Sequence, residues 1–422
     1  HRETYPFILL PDHDYTYNTT SPFGINGVVK IEGRTDALDF VNTAAKIGVA
    51  KVRVGDFIED IPGVIEFLKE YKKRDIQCTL ISAHAATLEY TRKTIEPFKD
   101  YVDRVIVGNE NNFPSISGEK TVEQTFNDYK NKQFKFGYDL VKETLGKTYV
   151  IAGISAGQSA WYDILYSSGY WNKFDVINYH VYGIPWRPDS REGETLFWNI
   201  EDGMKRTKKA MEQYGYKPTE IHEMGYPVIA ESKTEVDLRT QADYNVRGYI
   251  LGLAYGAQVI GAYSFVDISS SGRGIDQQDM EYHFGAFYYP DYFGRLMPKP
   301  FVGAFSALTR QLESVTGVTF NQKYTQGQTR AFDVQTKESG KVIVAWSNVE
   351  PLANDSVTTS SNRKPTPPWK NQWEKAETIA FESDKNKVVV RDIMGNSDEY
   401  SVTNGKVSIP VNGSPIYIYG VK

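Results

Sequence analysis

The chain predicts a (β/α)8 barrel followed by an antiparallel β-sandwich, on three observations. Short β-branched runs alternate with longer amphipathic segments from about residue 22 to residue 315. Eight such runs occur, and no Gly-x-Gly-x-x-Gly turn follows the first, which favours a closed barrel over an open doubly wound sheet. After residue 315 the pattern shortens into strand-length runs separated by Asn-Gly and Gly-Asn turns. With 422 residues the chain exceeds what one hydrophobic core usually organises, so two domains are expected: a barrel over 15–315 and a sandwich over 316–422.

The predicted barrel strands are Phe23–Val28, Lys51–Val54, Cys78–Ser82, Arg104–Gly108, Tyr149–Gly153, Val176–His180, Thr219–Glu223 and Ile260–Phe265. Between them Ile61, Val64, Ile65, Leu68 and Tyr71 recur at helical spacing, with Glu66, Lys69, Glu70 and Lys72 on the opposite face. Further helices are predicted near 36–47, 87–101, 121–145, 194–214, 236–256 and 299–314. The sandwich strands are Val342–Trp346, Thr378–Phe381, Val388–Val390, Val407–Val411 and Ile416–Tyr419, punctuated by Gly395-Asn396, Asn404-Gly405 and Asn412-Gly413. Glu350–Lys375, rich in Pro, Ser, Asn and Lys, reads as a long exposed loop, and the apolar run Tyr5–Leu10 is placed to donate a strand to the sandwich.

A net charge of −5 excludes the basic face that nucleic acid or an acidic membrane would need. No run reaches the roughly 18 apolar residues of a membrane span. The lone Cys78 excludes an internal disulfide and reads as a buried, inert thiol. A neutral partner suits this balance. With 29 Tyr, 21 Phe and 7 Trp, the chain has many flat rings, which pack cores and also stack on sugars. The chain begins at His1 rather than Met, as removal of a leader would leave it, and a secreted or cell-surface monomer is the expectation.

In a parallel barrel the chemistry lies where strands give way to loops at the C-terminal mouth. The polar residues there are Asn26, Arg53, Asp56, Ser82, His84, Asn109, Glu110, Asn178, His180, Tyr182, Glu223, Tyr226 and Asp267. Glu110 and Glu223 stand out, each ending a buried strand, as a glycosidase places its acid/base and nucleophile. Strict alternation along Thr219–Glu223 puts Glu223 on the face of Ile221 and turns Glu220 and His222 away, so Glu220 is set aside. No His-x-His or His-Glu-x-x-His spacing is present, and no metal or cofactor is expected. Trp186, in a Pro-bounded loop that cannot be helical throughout, is the best candidate for a sugar-stacking platform.

Gly108-Asn109-Glu110 closing strand 4 and Glu223-Met224-Gly225-Tyr226 closing strand 7 resemble the motifs of the clan A retaining glycoside hydrolases. Phe23-Gly24-Ile25-Asn26-Gly27, Arg53 and Asn178-Tyr179-His180-Val181-Tyr182 add to the match, and the sandwich ending in Ser414-Pro415-Ile416-Tyr417 looks like that of family 39. The Gly-Asn-Glu and Glu-x-Gly-Tyr-Pro motifs are also similar to those of the family 17 β-glucanases, whose chains usually lack this sandwich.

The resemblance implies double displacement, with Glu223 as nucleophile, Glu110 as acid/base and Asn109 bonding the sugar's 2-hydroxyl. Arg53 would keep Glu223 charged, and Tyr182 or His180 would orient it. Asn26, His84, Trp186 and Tyr226 complete the expected substrate contacts. The clan's Trp at the end of strand 8 is absent, since this strand reads Ala262-Tyr263-Ser264-Phe265. Three functions are therefore weighed: an endo-β-glycosidase on a polysaccharide such as a bacterial exopolysaccharide, an exo-acting β-glycosidase on oligosaccharides, and a catalytically silent polysaccharide-binding protein. The sandwich is expected to brace the barrel.

Overall fold

The computed structural model describes residues 8–27, 37–55, 60–83, 87–184, 186–189, 198–228, 236–268, 280–289, 296–348, 373 and 376–422. Parallel strands β1 (Phe23–Asn26), β2 (Lys51–Gly55), β3 (Gln77–Ser82), β4 (Arg104–Val107), β5 (Thr148–Val150), β6 (Ile154–Ser155), β7 (Ile177–Val181), β8 (Thr219–Met224) and β9 (Ala257–Ala262) form one sheet in the order β5-β4-β3-β2-β1-β9-β8-β7-β6. Its two ends are halves of one stave. β5 pairs with β4, β6 pairs with β7, and Val150 bridges Val176, so the stretch from Thr148 to Ser155 closes the ring as the fifth strand of an eight-stranded barrel.

Local chemistry sets the helices that surround it. The Asp60 side chain accepts from the Gly63 N–H at the start of Ile61–Lys73, Pro62 occupies the first turn, and Val64, Phe67, Leu68 and Tyr71 are buried. A Thr121/Gln124 capping box starts Val122–Tyr129, and the helical path continues through two π-turn segments to Thr144. The helix Ser159–Ser167 is missing from the sequence-based assignment. Its first residue follows Gln158, whose side chain makes no cap, so the usual start signal is absent. Among the described residues no helix is long and apolar enough to cross a membrane.

A short hairpin, β10 (Phe287–Tyr288) with β11 (Met297–Pro298), precedes the last barrel helix, Pro300–Leu312. The C-terminal part comprises β12 (Val315–Phe320), β13 (Thr329–Thr336), β14 (Gly340–Ser347), β15 (Glu377–Glu382), β16 (Lys387–Arg391), β17 (Ser397–Ser401), β18 (Lys406–Val411) and β19 (Ile416–Tyr419). They form an antiparallel six-stranded sheet, β12-β13-β14-β19-β16-β17, and a pair, β15-β18. The sequence reading lacks β12, β13 and β17. β12 is largely exposed and bulged at Gly317, β13 interposes Arg330, Asp333 and Gln335, and β17 is the polar edge strand Ser-Asp-Glu-Tyr-Ser. In the run Tyr5–Leu10, Tyr5–Phe7 lie outside the described residues. Ile8 and Leu10 are not in a strand and pack against the core. The Glu350–Lys375 loop is described at Trp373 alone.

The two parts share one core, in which Phe301 and Leu308 of the barrel join Phe332, Trp346 and Tyr417 of the sandwich. Arg247, on the barrel helix Leu238–Ala254, is fully buried between them. Its guanidinium donates to the carbonyls of Gly413 and Ser347 and pairs with Asp189 at 3.5 Å. Asp189 in turn accepts from Trp346 Nε1 at 3.1 Å, and Asp243 accepts from Trp373 Nε1 at 2.8 Å and from Ser414 Oγ at 2.6 Å. Arg330 of β13 reaches Glu201 of the helix Ile200–Tyr214 with two bonds, 2.5 and 3.0 Å.

Replacing Arg247 by Met leaves Asp189 and the Gly413 and Ser347 carbonyls without their buried cation, and is expected to cost about 3–5 kcal/mol. Urea unfolding of the wild type should show one transition for barrel and sandwich together. The variant should shift that midpoint down, whereas two separated wild-type transitions would contradict the shared core.

Candidate active site

The site depends on a break in strand alternation. From Ile221 to Met224, β8 advances three residues while its neighbour β9 advances two, from Ile260 to Ala262. On the other side, Ile221 to Glu223 spans two residues against the single step Tyr179 to His180 of β7. Both neighbours thus register one extra residue in β8, a β-bulge at His222–Glu223. Ile221 and Met224 point out to the helix Leu238–Ala254, where a Cβ on Gly252 or Gly248 would meet them at 2.8 Å. Glu220 pairs with Arg104 of β4, which is not a neighbouring strand, so both point into the barrel. His222 Nε2 lies 2.7 Å from Glu220 and lines an interior cavity of about 20 Å³, the size of one water, with Asn26, Arg53 and Thr79. The strict-alternation reading is corrected accordingly: Glu220 and His222 face inward, and the bulge turns Glu223 inward as well.

Three groups hold Glu223. Arg53 Nη1 donates to its Oε1, Tyr182 OH donates to its Oε2 at 2.5 Å, and His180 Nδ1 lies 3.5 Å from its Oε1. Arg53 is itself aligned by a bond from Nη2 to Asn109 Oδ1 at 3.0 Å. Burial pushes the Glu223 carboxyl up, but the charges of Arg53 and His180 and the hydrogen bonds from Tyr182 and Arg53 outweigh it and hold it at about 2. Glu223 is therefore ionised and already oriented.

Glu110 reaches the same place by a turn. Gly108 leaves β4 at φ +92, where a Cβ would collide with Asn111 Oδ1 and Gln133 Oε1. Glu110 itself has φ +45, a left-handed conformation that costs a non-glycine residue about 1 kcal/mol or more and is characteristic of functional positions. This turn accounts for the Gly-Asn-Glu spacing. His180 Nδ1 lies 3.1 Å from Glu110 Oε1, so one fully buried imidazole touches both carboxylates. Gly153 makes room for it, because a Cβ there would sit 2.3 Å from the ring.

The remaining predicted residues divide. Asn26 ends β1 beside Arg53 in register and lines the interior cavity. Asn178 is fully buried, and neither side-chain atom has a partner among the described residues. Tyr226, expected to contact sugar, instead lies in a buried cluster with Val236, Tyr244 and Trp373, its ring 5.1 Å from that of Tyr244. Trp186 is 50% exposed, next to Arg187, which donates to the Asn348 carbonyl of the C-terminal part, and among the described residues no contact joins it to the glutamates. Ser82 bonds Thr94, and Asp267 forms a buried pair with Lys299 at 2.7 Å. His84 and Asp56 lie outside the described residues.

The sequence reading misses Tyr263. It follows β9, where the clan's Trp is absent, and its ring lies 6.3 Å from Tyr182 and 5.6 Å from Phe284. Burial and then the charges of Glu223 and Glu281 push its hydroxyl pKa up. The missing Trp was the available signal. One atom each from Glu110, His180 and Glu223 lie within 4.8 Å of one another, a spacing a metal could use. Arg53, bonded to Glu223, already supplies the compensating positive charge.

No protein-family model matches the chain, and no curated protein sequence matches it. Solved structures do share its fold. A family 39 glycoside hydrolase from the gut symbiont Bacteroides cellulosilyticus WH2 superposes with a TM-score of 0.68 at 17% identity, over 96% of this chain and 82% of that one. A family 39 enzyme from Xanthomonas axonopodis pv. citri gives 0.58 at 10% identity, over 95% and 94%. A monomeric β-xylosidase from Caulobacter crescentus CB15 gives 0.54 at 11% identity, over 94% and 95%. The chain thus shares the barrel-and-sandwich fold of these enzymes along almost its whole length.

The Glu223 carboxyl is held below its ordinary value of 4.5, so its ionised form contributes stability that is complete above about 4.5 and lost as pH falls toward 2. Between pH 5 and pH 3 the wild type should therefore lose more unfolding free energy than Glu223→Gln. Equal losses in urea titrations at the two pH values would contradict the assignment of the charge.

Proposed function

We propose that the protein is a retaining β-glycosidase. The observation that carries this reading is the pair of carboxylates, Glu110 and Glu223, with oxygens within 4.8 Å of one another in unlike surroundings. Retaining enzymes hold their two carboxyl groups about 5–5.5 Å apart, while inverting enzymes need about 6.5–9.5 Å to admit a water. The shared fold of family 39 enzymes supports the same class.

In the first step Glu223 attacks the anomeric carbon as the C–O bond to the leaving group breaks, and Glu110 gives its proton to the departing oxygen. Glu223 is then an ester and carries no charge. Water enters, Glu110 takes its proton, and the hydroxide equivalent displaces Glu223 to release the sugar with retained configuration. Tyr182 and Arg53, aimed at the two oxygens of Glu223, take up its charge again as it leaves. Asn109, held by Arg53, is positioned to meet the sugar's 2-hydroxyl, a bond that strengthens toward the transition state.

The substrate we infer is a polysaccharide cut internally, such as a bacterial exopolysaccharide, by a secreted or cell-surface enzyme. Release of single sugars is the alternative, favoured by the β-xylosidase among the structural neighbours. A catalytically silent binding protein is disfavoured by an ionised, pre-oriented Glu223.

Reducing-end release should be measured on β-glucans, xylans, mannans and bacterial exopolysaccharides, with products sized. Glu223→Gln should abolish release. Glu110→Ala should slow turnover of unactivated glycosides about 10²–10⁴-fold, with azide restoring rate on activated aryl glycosides and giving a β-glycosyl azide. Binding without release by the wild type would leave only the silent reading, and an α-configured azide product would overturn retention.

A further inference from the structure

Phe113 follows Glu110 by three residues, and its N–H donates to the Glu110 carbonyl at 2.8 Å, so the ring leaves the chain within one turn of the acid/base. The loop that carries it is fixed. Asn111 donates to Gln133 at 2.6 Å, Asn112 exchanges bonds with Ser155 at 3.1 and 2.9 Å, and Ser115 donates to Gln158 at 3.1 Å. In spite of this rigidity the Phe113 ring is 44% exposed. Packing does not account for a large apolar ring held out beside a catalytic carboxylate.

Trp198 meets it from the other side. It directly precedes Asn199, which caps the helix Ile200–Tyr214, and its carbonyl lies 3.0 Å from where a Cβ on Gly183 would sit, next to Tyr182. The two rings are 6.4 Å apart between centroids with planes at 47°, an open V built from the loops after β4 and β7. The polar groups fixing the Phe113 loop are amides and hydroxyls, all uncharged.

We propose that Phe113 and Trp198 form the stacking platform for a neutral sugar on the leaving-group side of the scissile bond, and that the same platform receives acceptor sugars after the first leaving group departs. The inference rests on the glycosidase reading above, since Glu110 protonates the leaving oxygen and the groups beyond Glu110 therefore face the leaving group. An acceptor hydroxyl bound there replaces water: Glu110 removes its proton, its oxygen forms the new glycosidic bond, and the bond to Glu223 breaks.

The test separates the two half-reactions. The enzyme is treated with the 2-deoxy-2-fluoro-β-glycosyl fluorides of glucose, xylose, galactose and mannose, whose small fluoride leaving group does not use the platform, and the ester on Glu223 is detected by mass. Reactivation of the trapped enzyme is then followed with and without cellobiose or xylobiose. Wild type should reactivate faster, and saturably, with the disaccharide. Phe113→Ala and Trp198→Ala should each lower the acceptor-dependent rate about tenfold while trapping stays within about twofold, and Phe113→Tyr should retain the wild-type response. Normal trapping with unchanged acceptor reactivation in both Ala variants would overturn the platform alone. A wild type that forms no ester with any of the four would overturn the retaining reading and the platform with it.

Discussion

A buried ion pair organises this molecule's chemistry. Arg53 sits at the end of one barrel strand and Glu223 at the end of another, and neither would be tolerable alone in so enclosed a place. Together they fix a carboxylate in its charged form while leaving its second oxygen to Tyr182. The same guanidinium reaches Asn109. Glu223 and Asn109 therefore share one anchor, so a displacement of Arg53 disturbs charge and geometry together. His180 extends the arrangement to Glu110 and makes the two carboxylates parts of one network.

Each carboxylate is brought to the centre by an irregularity. A regular β8 would present either His222 or Glu223 to the interior; the bulge presents both. A regular exit from β4 would carry Glu110 away, and the left-handed Gly108 and Glu110 fold it back. The barrel supplies rigidity, and two local departures from its repeat supply aim.

Much of this was legible in the chain. All eight staves follow from β-branched runs, because a strand covered on both faces must be apolar throughout. Glu110, Asn109, Arg53, His180, Tyr182 and Glu223 follow from the rule that strand ends converge at the mouth. What escaped has physical causes. A bulge leaves no mark in a run such as Thr-Glu-Ile-His-Glu-Met, so the orientation of Glu220 and His222 was misread. Tyr226 lies just past the end of β8, and its packing partners Tyr244 and Trp373 are distant in sequence. Polar edge strand β17 has no apolar alternation to display, and the uncapped helix at Ser159 has no start signal.

The burial of Arg247 has a temporal consequence. Its carbonyl partners include Ser347 and Gly413, which leave the ribosome 100 and 166 residues after it. Until then a completed helix Leu238–Ala254 would carry an unmatched cation on its buried side. The barrel's final consolidation is thereby deferred until the sandwich has been made, and the nascent chain must be kept from aggregating over an interval set by the distance between a helix and the turns of the sandwich that complete its partners.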